Sequence, residues 1–260
     1  MTDALRLVVF ADSLAFTNDT GPQLPDDKTL YPNVIAAEVE RAMGRPVVLS
    51  VLARAGMDSR EAWKMVTKDR HAQFEVLMGA DAVVVSFGSL DHGPTGIPTV
   101  IEAVVPYLRP ASMRRRARIA LRWLHPRVIR FTGARITRTS TEDFARMYEG
   151  TLFQVRALTH GAPAVAMGPT SHSSSYYGGV HPQREARETL QLSLARKQKF
   201  AAVASWPLVQ PHVSDLNPDG LHWPPHVHQA VGEALAAALI PQLRGEHPSP
   251  GMPGVDDRPR

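Results

Sequence analysis

The 260-residue sequence contains no cysteine. That absence removes disulfides, thiolate-bound zinc and cysteine nucleophiles together, suits a reducing compartment, and leaves oxygen and nitrogen as the available nucleophiles. No apolar run approaches the roughly 18 to 20 residues that a membrane span needs. The opening MTDALRLVVFADS carries an acid at Asp3 and no small-residue cleavage site after its short apolar run. Neither secretion nor membrane insertion is therefore expected, and a cytoplasmic location is. An excess of one charge is also missing. Lys and Arg number 29 against 25 Asp and Glu, a formal +4, too mild to argue for nucleic acid. There is no internal repeat. Hydrophobic residues, at 43% against 21% charged, are plentiful. A chain of this length can bury roughly 70% of its unfolded surface, which excludes disorder for its bulk.

The run Leu5 to Ala11 is short, β-branched and bounded by polar residues, which predicts a buried strand. Similar runs follow at Val47–Leu52, Ala82–Phe87 and Ala164–Met167. Helical spacing predicts helices near 32–43, 59–67, 97–108, 141–159, 184–200 and 225–240. Strands alternating with helices predict one α/β domain over residues 1–240, three layers deep, with a short and mostly parallel sheet. Ligands of such sheets bind at the carboxyl ends of the strands, so the residues just after each strand are the candidates for chemistry.

Three segments break the alternation. Residues 109–138 hold ten arginines, no acid, and apolar residues such as Ile119, Trp123 and Leu124. This basic insertion can bind phosphates or a carboxylate through guanidinium pairs and cover a cleft, or form a solvated or lipid-facing amphipathic helix pair. Residues 170–184, rich in Ser, Tyr, Gly and His, read as a long flexible loop in which His172, Tyr176 and Tyr177 can shape a binding site. The tail 241–260 is expected to be disordered.

The first strand hands over to Asp12-Ser13-Leu14, where a serine hydroxyl can face a cleft beside backbone N–H groups, or simply cap a turn. Near the other end stands Asn217-Pro218-Asp219-Gly220-Leu221-His222-Trp223. A carboxylate three residues before a histidine in a Gly/Pro turn can fold back to hold the imidazole in one tautomer, leaving its other nitrogen to accept a serine proton. His222, His226 and His228 lie close in sequence, but Pro224-Pro225 interrupts them and no acid cluster accompanies them, so no metal site is expected. His226 and His228 are expected on the surface of the last helix.

These residues together resemble the SGNH, or GDSL-type, hydrolases and acyltransferases. The resemblance rests on Ala11-Asp12-Ser13-Leu14, on Gly56 after the second strand, on Gly88-Ser89-Leu90-Asp91 after the third, and on Asp219-Gly220-Leu221-His222. It implies a three-layer, flavodoxin-like fold and a triad of Ser13, Asp219 and His222, with the backbone amides of Ser13 and Gly56 as oxyanion donors. Where the family pattern has an oxyanion-binding asparagine, this chain has Leu90.

Within that superfamily, Leu24-Pro25-Asp26-Asp27, Tyr31-Pro32-Asn33 and the Arg109-Pro110 insertion are similar to the diglucosylglycerate octanoyltransferase family. That resemblance implies transfer of a medium-chain acyl group, with acyl-CoA as co-substrate and no other cofactor, onto a glucosylglycerate of methylglucose lipopolysaccharide synthesis. Asp12, Asp91, Arg54, Tyr176 and Tyr177 are expected around the substrate. The expected partners are the acyl donor and the sugar acceptor, with no nucleic acid and a peripheral membrane contact open to the insertion. An esterase or lipase-like hydrolase with the same triad is the alternative.

Overall fold

A computed structural model describes residues 4–97, 101, 104–170, 172–216 and 219–246. The strands are β1 (Leu5–Ala11), β2 (Thr17–Asn18), β3 (Gly21–Pro22), β4 (Val47–Ala53), β5 (Ala82–Ser86), β6 (Ala164–Met167) and β7 (Ala201–Val203). The helices are α1 (Tyr31–Met43), α2 (Ser59–Lys68), α3 (Ala111–Phe131), α4 (Thr141–Leu158), α5 (Arg184–Lys197), α6 (Trp206–Val209) and α7 (Pro225–Leu243).

Five strands form one sheet in the order β4-β1-β5-β6-β7, with every neighbouring pair parallel. Because successive strand side chains point to opposite faces, β1 feeds two cores. Val8 and Phe10 join Val83, Val85 and residues of α2, α4 and α5 on one face. Leu7, Val9 and Ala11 join Val84 and residues of α1 and α7 on the other. The result is the three-layer α/β fold expected. Fully burying one such Val or Phe contributes about 1.5 to 3 kcal/mol, so both helix layers are held firmly to β1.

Local chemistry places the helices that matter for the site. In α2, Asp58 caps the first turn by accepting hydrogen bonds from Arg60 N–H and Glu61 N–H. In α1, Pro32 stands in the first turn and Gly44 closes the end in a left-handed conformation. The chain reverses direction in the strand order between β1 and β5, and ligand crevices of doubly wound sheets open at that point.

Several expectations are corrected. The insertion is one 21-residue helix, α3, rather than a helix pair, and it runs through Pro126, which removes a single backbone donor. The helix expected over 184–200 ends at Lys197, and β7 follows it as a fifth strand that the sequence did not announce. The last helix continues through Pro241 to Leu243, so the tail begins later than expected. Residues 247–260 lie outside the described residues, as do most of the expected helix start at 98–100 and the positions 102–103. His228 is fully buried, not on the helix surface, because it accepts a hydrogen bond from Tyr31 N–H at Nδ1 and donates one from Nε2 to Thr17 O.

Candidate active site

The first strand ends at Ala11, and Asp12 turns the chain into a short 3-10 turn, Ser13–Ala15. The Asp12 carboxylate accepts a hydrogen bond from Leu14 N–H at 3.0 Å, which is the capping contact that fixes the turn. Burial pushes the Asp12 carboxyl up to about 7; the Leu14 N–H opposes this and the nearby Asp91 charge reinforces it. Ser13 is thereby set at the carboxyl end of β1, where the strand order reverses beside β5.

The partner of Ser13 comes from the far end of the chain. His222 Nε2 lies 3.1 Å from Ser13 Oγ, and His222 Nδ1 lies 2.6 Å from Asp219 Oδ2. The other carboxylate oxygen of Asp219 accepts from Leu221 N–H at 2.8 Å and from His222 N–H at 3.2 Å. Partial burial raises the Asp219 carboxyl, but these backbone bonds and the imidazole outweigh it and hold Asp219 below the usual carboxylate range. An ionised Asp219 accepts from Nδ1–H, which leaves Nε2 with its lone pair toward the serine hydroxyl.

Two further contacts hold this turn in place. Gly220 sits at φ 69°, and a Cβ there would stand 2.6 Å from Ser174 N, so the turn can approach the 172–179 segment only with glycine. Ser173 N–H donates to Gly220 O at 2.8 Å across the same approach. Trp223, the residue after His222, is buried and bridges Asn18 in parallel fashion. Asn217 and Pro218, also part of the expected motif, lie outside the described residues.

Ser13, Asp219 and His222 open on a cleft of about 440 Å³, in the range of small-molecule sites. Gly56 lines it at φ 71°, a left-handed conformation that favours glycine. Leu90 lines it too, where an asparagine would have offered a side-chain donor, and Ser89 beside it accepts at Oγ from Thr170 N–H. Asp12, His172 and Tyr177 complete the expected residues that reach the cleft.

The remaining expected residues stand elsewhere. Asp91 is fully buried and accepts from Ser59 N–H at 2.8 Å and Ser59 Oγ–H at 2.6 Å, so it pins the start of α2 and does not line the cleft. Burial pushes its carboxyl up to about 6. Arg54 lies outside the cleft, within 3.8 Å of Glu61 and 3.7 Å of Asp69. Tyr176 stacks on His125 of α3 at 4.3 Å between ring centroids.

No residue of 109–138 lines the cleft; instead α3 touches the loop behind it, where His125 Nδ1 is 2.9 Å from Tyr176 O. That loop is packed rather than open: His172 is buried, lines the cleft, and meets His181 at 3.3 Å between ring nitrogens. Burial lowers the His172 imidazole to about 2, so it stays neutral. Phe16, Thr17 and Thr170 also line the cleft and were not foreseen, because nothing in their local sequence marks them. No group of three His, Asp or Glu side chains among the described residues is arranged to hold a metal ion. Nor is any described helix long and apolar enough to cross a membrane.

No protein-family model matches the chain. Among solved structures, a lipase from a goat rumen metagenome superposes with TM-score 0.59 at 14% identity, covering 92% of this chain and 100% of its own. A lipase/acylhydrolase from Enterococcus faecalis superposes with TM-score 0.55 at 13% identity, covering 93% of this chain and 96% of its own. These likenesses establish the fold. In sequence, the diglucosylglycerate octanoyltransferase of Mycobacterium tuberculosis is 29% identical over 90% of this chain and 91% of its own. That of Mycolicibacterium hassiacum is 32% identical over 90% of this chain and 94% of its own. With relatives that similar along nearly their whole length, and with the fold of GDSL-type lipases beneath it, this chain belongs to the diglucosylglycerate octanoyltransferase family of acyltransferases.

Proposed function

We propose that the protein moves an octanoyl group from an acyl donor such as acyl-CoA to a hydroxyl of a glucosylglycerate-type sugar, through an acyl-enzyme on Ser13. The observation that carries this reading is the unbroken line from Asp219 Oδ2 through His222 to Ser13 Oγ, at 2.6 and 3.1 Å, ending in the cleft. The names of the relatives support the octanoyl group and the acceptor class.

In this reading His222 Nε2 takes the hydroxyl proton as Ser13 Oγ bonds to the thioester carbonyl carbon. The carbon–sulfur bond breaks and the sulfur leaves with that proton. A sugar hydroxyl then attacks the Ser13 ester; its proton passes to His222 Nε2 and on to Ser13 Oγ as the serine departs. Backbone N–H groups of Ser13 and Gly56 serve the oxyanion, and Leu90 adds none. Leu14, Phe16 and Leu90 offer the chain an apolar wall, where each buried CH₂ contributes about 0.8 kcal/mol. An acyl chain seated on that wall displaces water from it.

Mass spectrometry of octanoyl-CoA incubated with diglucosylglycerate, beside a water-only control, tests the reading. A sugar product heavier by one octanoyl unit, absent with Ser13→Ala, is expected. Free octanoate as the sole product in both mixtures would overturn transfer and leave an esterase.

A further inference from the structure

Helix α3 carries seven arginines and no acid, and none of them reaches the catalytic cleft. No carboxylate pairs with any of the seven among the described residues; Arg138, which pairs with Asp58, lies beyond the helix. Arg116, Ile119, Trp123, Arg127 and Arg130 follow one another at steps of three and four, which puts them on one helix face. That face is open: Ile119 and Trp123 are each 59% exposed, and Phe131 at the helix end is 93% exposed. The Arg127 guanidinium lies 3.7 Å over the Trp123 ring.

The apolar surface extends past the helix. Ile101, Val104 and Tyr107 are exposed just before it, and Leu108, Ala117 and Leu121 line an adjoining groove with no polar side chain in its walls. Exposed apolar side chains gathered this densely mark an interaction surface. A helix of 21 residues is about 30 Å long, and along that length cations alternate with Trp, Ile and Phe. Anionic lipid headgroups match that alternation: guanidinium and indole groups settle at headgroup level while the aliphatic side chains enter the acyl boundary.

We propose that α3 docks the protein peripherally on a lipid surface rich in anionic headgroups. This goes beyond the acyl transfer proposed above and does not depend on it. On its inner side the same helix holds the Tyr176–Tyr177 loop through His125, and Ile129 fills the space beside Gly178. Docking and one wall of the cleft therefore share a single element.

The test is co-sedimentation of the full chain with phosphatidylcholine vesicles and with phosphatidylcholine vesicles containing phosphatidylglycerol. Binding to the mixed vesicles alone, weakened by added salt, is expected. A basic residue near such a surface contributes about fivefold in partitioning, so R116E/R127E/R130E should weaken binding about a hundredfold or more. Trp123→Ala should weaken it too while leaving its salt dependence in place. Both variants should turn over a soluble octanoyl ester at the unmodified rate without vesicles, which shows that the fold is intact. Absence of binding to the mixed vesicles, or equal binding by the triple variant, would overturn the proposal. So would a complex with an acidic acyl carrier protein that the same substitutions abolish, if no vesicle binding accompanies it.

Discussion

Ser13 Oγ and His222 Nε2 meet at 3.1 Å although 209 positions separate them in the chain. The first comes from the end of β1, an interior strand between β4 and β5. The second comes from a turn that Asp219 and Gly220 shape just before α7. The proposed relay needs both segments, and the 2.6 Å bond from Asp219 to His222 sets how they meet.

Asp219→Asn keeps an oxygen for the Leu221 and His222 N–H groups but no longer favours Nδ1–H on His222. The wrong tautomer would then face Ser13, and kcat should fall by about 10⁴-fold with the thermal midpoint little changed. Steady-state kinetics beside a melting curve checks this. An unchanged kcat would remove Asp219 from the relay.

Gly220→Ala would place a Cβ 2.6 Å from Ser174 N at a φ of 69°. The turn must back away from the 172–179 segment, carrying His222 with it. Loss of activity of about 10²-fold or more is expected, since a shift near 1 Å has that effect. Activity close to normal would show that the turn tolerates displacement.

Leu90→Asn restores a side-chain donor to a position that already lines the cleft. One such donor is worth about 10²- to 10³-fold in hydrolases built around it. A gain of about tenfold on an activated octanoyl ester is expected here, because the surrounding wall is shaped for leucine. A loss of rate would mean that another group already occupies the oxyanion position.

Asp12 gives a pH signature in stability. Its carboxyl rises from 3.8 to about 7 on folding, chiefly through burial. Between those values the folded state holds the proton more tightly than the unfolded state, so stability falls as pH rises through that window. Asp12→Asn cannot ionise and keeps the acceptor for Leu14 N–H. Its melting midpoint should match the unmodified protein near the low end, exceed it increasingly up to about pH 7, and hold that lead above. A lead that does not change with pH would exclude a buried charge as the cause.

Much of this was legible in the sequence. The strands at 5–11 and 164–167 are short β-branched or small apolar runs with polar flanks, and both lie where the pattern places them. Strand β7 was hidden for a physical reason. A lysine, Lys199, takes the left-handed turn at φ 62° between α5 and β7, so the glycine that normally ends a helix is missing, and three residues are too few to show a period.

The serine, aspartate and histidine were legible because each belongs to a motif only a few residues long. Asp91 was misplaced for the opposite reason. Its motif resembles a substrate-facing block, but its carboxylate is spent on Ser59, 32 positions away. His228 reads as a surface residue beside its proline, yet its two hydrogen-bond partners, Tyr31 and Thr17, come from the first helix and from β2. Contacts of that range leave no local trace.

The interior position of β1, with β4 on one side and β5 on the other, bears on how the protein is made. As the chain leaves the ribosome, the nucleophile is made within the first fifteen residues, and β1 gains its neighbours β4 and β5 soon afterwards. The base and its carboxylate arrive only when residues 219–222 and the last helix behind them have emerged. Until then Ser13 lacks the imidazole that stands 3.1 Å from its hydroxyl, and the sheet face that α7 covers is still open.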